Sequence, residues 1–144
     1  MLQKWDQRFF DRAKELASWS QDPSTKVGAV IVRPDKTAAS EGFNGFPRKI
    51  ADTPERLDNR KLKNQLMIHA EANAIIFARE PLEGYTIYLW PCIPCSKCAG
   101  LIIQTGILRV VSNNRQHTNG GEDLALTISM FDEAGVELIL HDVA

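Results

Sequence analysis

Four side chains stand out for the chemistry they could do together: His69 and Glu71, two residues apart, and Cys95 and Cys98, three apart. Imidazole nitrogen and thiolate sulfur are donors that zinc takes readily, and three protein ligands leave a fourth tetrahedral position for water. A dication held by two thiolates and a neutral imidazole is formally neutral, which suits an apolar pocket. It still lowers the pKa of a bound water towards neutral pH. A carboxylate beside such a site can take up the proton and hand it on. Glu71 is placed to do so.

Two conditions bear on that reading. Residues two apart on an ideal helix differ by about 200°, so His69 and Glu71 converge only if His69 sits at the irregular start of its helix. The second concerns Cys92, which precedes Cys95 by three residues. Cys92, Cys95, Cys98 and His69 would make a closed Cys3His structural site, the core of a zinc-stapled binding module without activity. That alternative leaves Glu71 without a role. All three cysteines lie within seven residues, which speaks for metal and against a disulfide framework. His117 and His141 are read as surface residues and not as ligands.

The elements that must position these groups follow from periodicity. Residues 5–19 read as an amphipathic helix through Trp5, Phe9, Ala13 and Leu16, with Asp6, Arg8, Asp11 and Lys14 on the polar side. Val27 to Val32 is a nearly continuous apolar run, as in a strand covered on both faces. Thr37 to Phe43 returns after a Pro34-Asp35-Lys36 turn to give an antiparallel hairpin. From Asn44 to Leu66 periodicity is lost, and the alternating charges of Glu55 to Lys63 suggest a short solvated helix. A helix over 69–78, a strand over 85–90, a helix over 95–105 and a strand over 107–112 come next. A helix with Leu124, Ala125, Ile128 and Phe131 on its apolar face and a strand over 136–140 complete the chain. Strands alternating with helices imply right-handed crossovers and parallel pairing. The expectation is a mixed five-stranded sheet with an N-terminal antiparallel hairpin, parallel C-terminal strands and helices on both faces.

Both proposed metal-binding segments fall at helix starts, where backbone amides and the helix dipole favour the thiolate. At 144 residues the chain reads as a single domain, 1–144, large enough to bury a core. Its 44% hydrophobic and 24% charged content is that of a globular protein. No apolar run of about 18 residues is present to span a membrane, and no signal-peptide core opens the chain, so a cytoplasmic location is expected. A net charge of -1 argues against a partner held by bulk electrostatics, such as nucleic acid.

His69-Ala70-Glu71 followed by Pro94-Cys95-Ser96-Lys97-Cys98 matches the His-x-Glu and Pro-Cys-x-x-Cys signature of zinc-dependent deaminases. Further stretches narrow the resemblance to deoxycytidylate (dCMP) deaminases within the cytidine/deoxycytidylate deaminase superfamily. These are Asp22 to Ala29, Gly42 to Arg48, His69 to Ile75, and Cys98-Ala99 with Leu101 to Ile107. The resemblance implies a three-layer α/β/α fold, with His69, Cys95 and Cys98 as zinc ligands and Glu71 as proton shuttle. It implies contacts from Asn44 to sugar or base, Phe77 against the pyrimidine, and Lys26, Arg48 or Arg79 at the substrate phosphate. It further implies hydrolysis of dCMP to dUMP and ammonia, a homo-oligomer (dimer or hexamer), and a nucleoside triphosphate effector. Deoxycytidine, dCTP, guanine and tRNA adenosine are the alternative substrates. The segment 48–64 departs from a short connection and leaves the regulatory site open.

Overall fold

A computed structural model describes residues 2–115 and 121–142, and His117 lies outside them. Its elements run α1 (Lys4–Ala17), β1 (Gly28–Val32), β2 (Ala38–Phe43), α2 (Pro54–Asp58), α3 (Arg60–Leu66), α4 (Ala70–Phe77), β3 (Thr86–Trp90), α5 (Ser96–Gln104), β4 (Arg109–Asn113), α6 (Gly121–Ala134) and β5 (Glu137–His141). The five strands form one mixed sheet in the order β2-β1-β3-β4-β5. β1 pairs antiparallel with both β2 and β3, whereas β3–β4 and β4–β5 are parallel. The expected hairpin and parallel half are both present.

Side-chain alternation on the strands builds the three layers. Val30 and Val32 of β1, with Tyr88 and Val111, pack against Ala13 and Leu16 of α1. Ala29 and Ile31, pointing the other way, join Ile87, Leu89 and Val110 against Ala70 and Ala74 of α4, Ala99 and Ile102 of α5, and Phe131 of α6. Two glycines set the closest approaches. A Cβ at Gly28 would stand 1.9 Å from the Ala13 carbonyl oxygen, and one at Gly42 would stand 2.6 Å from both the Ala70 oxygen and the Ala74 nitrogen. α4 therefore rests with its backbone directly on β2.

Three expectations are corrected. At its N-terminal end the inward face of α1 is turned by one residue, while Ala13 and Leu16 face inward as expected: Asp6 and Phe10 are buried and Trp5 is exposed. Asp6 is drawn inward because Arg109 Nη2 and Nη1 donate to its two oxygens at 2.6 and 2.9 Å and the Tyr88 hydroxyl donates at 2.6 Å. The 44–66 segment contains two helices, and in the second Lys63 is not solvated: it is 3% exposed, its Nζ 2.8 Å from Asp22 Oδ1 and 3.0 Å from Ser24 Oγ. The inward face of α6 carries Thr127 and Phe131, while Ile128 and Leu126 are exposed. His141 is half-buried at the end of β5, where its ring meets Phe10 edge-on at 5.7 Å.

Candidate metal centre and active site

His69 and Cys95 are the N-cap residues of α4 and α5, with extended ψ angles of 153° and 165°. Their carbonyls accept the first helical bonds, from Asn73 N at 3.0 Å and Ala99 N at 2.8 Å. Their side chains cap neither helix. N-caps favour Ser, Thr, Asp or Asn, so His and Cys here forgo a local bond and leave their donors for something else. Extended backbone at His69 also removes the angular difficulty: the imidazole leaves the chain before the helix begins, and Glu71 turns inward from its first turn.

The donor atoms converge. His69 Nδ1 lies 3.2 Å from Cys98 Sγ and 3.6 Å from Cys95 Sγ. The ligand atoms of His69, Cys95 and Cys98 all lie within 4.8 Å of one another. Tetrahedral zinc with bonds of about 2.0–2.3 Å needs donor separations of roughly 3.5–3.8 Å, which small side-chain adjustments supply. Among the described residues this is the one His/Cys/Asp/Glu group that could hold a metal, and Cys92 is outside it. Glu71 is buried beside this cluster.

Electrostatics tell the same story. Burial pushes the Glu71 carboxyl above its ordinary range. A hydrogen bond from Cys98 pulls the Cys95 thiol down, and Cys98 rises correspondingly through the same bond. A dication bound by the two sulfurs displaces the proton of that bond. The hydrogen bond with Cys95 raises the His69 imidazole. Cys92 is pushed up to about 12, first by burial and then by Glu71, and is a thiol of the cavity wall.

α6 supports the cysteine loop from behind. Ser96 donates to Asp123 from its backbone at 3.1 Å and its hydroxyl at 2.6 Å, and Thr127 Oγ1 donates to the Pro94 carbonyl at 3.1 Å. On the other side, Asn73 Nδ2 donates to the Phe43 carbonyl at 2.8 Å and pins α4 to the end of β2. Asp123 and Thr127, four apart on a helix, were a readable signal, since a polar pair on an inward face needs partners.

A cavity of about 520 Å³ opens over His69, Glu71, Cys92 and Cys95. Asn44 lines it, 5% exposed. Its Nδ2 donates to the Thr25 carbonyl at 2.9 Å and reaches Asp22 Oδ2 at 3.4 Å, while Oδ1 accepts from Val27 N at 2.9 Å. Its donors are committed, and one lone pair of Oδ1 remains for a ligand. The other expected substrate contacts are not brought to this cavity. Lys26 Nζ donates to the Ser20 carbonyl, the Arg48 guanidinium lies 4.8 Å over the Phe77 ring, and Arg79 is exposed; none of the four lines the cavity. The charged residues that do, besides His69 and Glu71, are Asp22, Arg60, Lys63 and Arg115.

A mixed sheet between helical layers, with a three-donor metal cluster at two helix N-caps and a buried carboxyl beside it, defines a zinc-dependent hydrolase. The zinc-binding region of cytidine and deoxycytidylate deaminases matches residues 3–114, and the chain belongs to that family. It is 43% identical over 141 residues to an uncharacterised deaminase of Aliivibrio fischeri, covering 96% of this chain and 94% of that one. It is 33% identical over 139 residues to human deoxycytidylate deaminase, covering 92% and 77%. The fold matches that of a dCMP deaminase from cyanophage S-TIM5, also solved in complex with dCMP and dUMP, with a TM-score of 0.77 at 22% identity for the apo form, covering 98% and 100% of the two chains.

Proposed function

We propose that residues 1–144 act as one zinc-dependent deaminase domain that converts dCMP and water to dUMP and ammonia. The observation that carries this reading is the buried Glu71 carboxyl against the His69, Cys95 and Cys98 cluster at one cavity. Zinc, when bound by those three side chains, supplies Lewis-acid activation of water. Glu71 would take one proton from the attacking water as its oxygen bonds to C4 and pass it to ring N3. It would then take the second proton from the C4 hydroxyl and pass it to the amino group, so that the C4–N bond breaks, ammonia leaves and the C4 carbonyl forms. Burial suits Glu71 to this work, because a carboxyl with a raised pKa can both accept and donate near neutral pH. Asn44 orients the sugar through its remaining Oδ1 lone pair.

Relatives named deoxycytidylate deaminase favour the monophosphate over free base or tRNA. Ammonia release from dCMP, dCTP, deoxycytidine, guanine and tRNA tests the reading, with dCTP and dTTP added separately as effectors of dCMP saturation. dCMP is expected to be turned over with the highest kcat/KM. Equal values for dCMP and deoxycytidine, or preference for guanine or tRNA, would overturn it. The protein is further inferred to work as a homo-oligomer in the cytoplasm. Exposed Leu101, Leu126 and Ile128 on α5 and α6 support the first, and three free cysteines suited to a reducing compartment support the second.

A further inference from the structure

Four residues of the cavity wall come from one short stretch: Arg60, Lys63, Asn64 and Met67. Their spacing is i, i+3, i+4 and i+7, the stripe that shares one face of a helix. Within α3 that stripe is polar (Arg60, Lys63 and Asn64), Met67 follows at the C-cap, and all four line the cavity. Lys63 holds it there, because its buried ion pair with Asp22 joins α3 to the loop that also binds Asn44. The charges of the wall can then be accounted for one by one. Lys63 and Asp22 satisfy each other, and Glu71 faces the metal cluster. Arg60 and Arg115 remain, and neither guanidinium makes an ion pair or side-chain hydrogen bond among the described residues. Both are exposed, as groups at a cavity mouth must be. Arg115 is also anchored through its backbone, whose carbonyl accepts from Ile93 N at 3.0 Å beside the metal-binding loop.

We propose that Arg60 of α3 and Arg115 after β4 form a two-guanidinium clamp for the 5′-phosphate of the substrate, making α3 the element that selects nucleotide over nucleoside. The proposal rests on the nucleotide reading of the site. A guanidinium presents a planar fork of donors that matches phosphate oxygens, and two of them lining one cavity without an ion-pair partner among the described residues supply charge that a neutral nucleoside does not use.

The test uses the zinc-loaded chain with Arg60→Gln, Arg115→Gln and, as a control for lost charge on the same helix, Lys61→Gln, since Lys61 is exposed and outside the cavity wall. Zinc content and thermal midpoint verify that each variant is folded. KM for dCMP and the Kd of dUMP, measured by calorimetry, are expected to rise about tenfold or more for each arginine variant and to stay within about twofold for Lys61→Gln. The dUMP:deoxyuridine affinity ratio should fall accordingly, and raised salt should weaken the wild type more than either arginine variant. Wild-type KM and Kd retained in both arginine variants, or equal losses in Lys61→Gln, would overturn the clamp while leaving dCMP deamination standing. Absence of dCMP turnover by the wild type would instead remove the reading of function on which the clamp rests.

Discussion

At the scale of single residues, Glu71 is placed by the same helix start that presents His69. The two groups face one point because one lies before the helix and the other within its first turn. Replacing Glu71 by Gln keeps the shape and hydrogen-bonding capacity but removes the basicity. General acid–base assistance of this kind is worth about 10²–10⁴ in rate. Glu71→Gln is therefore expected to lower kcat on dCMP by about that factor while retaining zinc by metal analysis. Parental turnover in a zinc-replete Glu71→Gln protein would exclude Glu71 as the proton carrier.

At the scale of elements, the site depends on how α4 sits on β2 and how α1 is tied to the far face. Gly42 lets the α4 backbone approach, and an added Cβ would meet backbone atoms at 2.6 Å, which no side-chain rotation relieves. Overpacking of this kind costs roughly 1–3 kcal/mol, and here the strain falls on the helix that carries His69 and Glu71. Gly42→Ala is expected to lower both the thermal midpoint and zinc affinity, and an unchanged zinc affinity would show that α4 adjusts freely. On the opposite face, hydrogen bonds from Arg109 hold the Asp6 carboxyl below the usual carboxylate range. A depressed folded pKa contributes stability above the unfolded value near 3.8 and loses it as pH falls through the folded value. Asp6→Asn should cost about 2 kcal/mol near pH 7, discounted from a fully buried pair because Arg109 is 26% exposed. Denaturant melts should show that difference shrinking below about pH 4. A constant difference down to pH 2 would mean the carboxylate charge is not what Asp6 contributes.

At the scale of the whole molecule, what could be read from the sequence was what rests on short spacing. His69 with Glu71 and Cys95 with Cys98 reveal their chemistry within three residues, and the strand and helix periods place the layers. Polar groups buried by distant partners could not be read in this way. Asp6 meets Arg109 across 103 positions, and Lys63 meets Asp22 across 41. Lys63 looked solvated because it ends a run of alternating charges, and its partner Asp22 is distant in the chain. The expected phosphate contacts Lys26, Arg48 and Arg79 came from the family resemblance, while the cations that line the cavity among the described residues come from α3 and from the end of β4. The layers that pack on the sheet, from Leu16 on one side to Phe131 on the other, contain no metal ligand except through the starts of α4 and α5. Zinc should therefore add to a fold that already exists. A ligand present at about a thousand times its Kd adds roughly 4 kcal/mol of stability. Removing zinc with a chelator is expected to abolish turnover and lower the thermal midpoint by several degrees, with far-ultraviolet circular dichroism preserved and both losses reversed by added zinc. Loss of the helical signal on chelation would instead make the metal a folding staple, and would revive the closed site that includes Cys92.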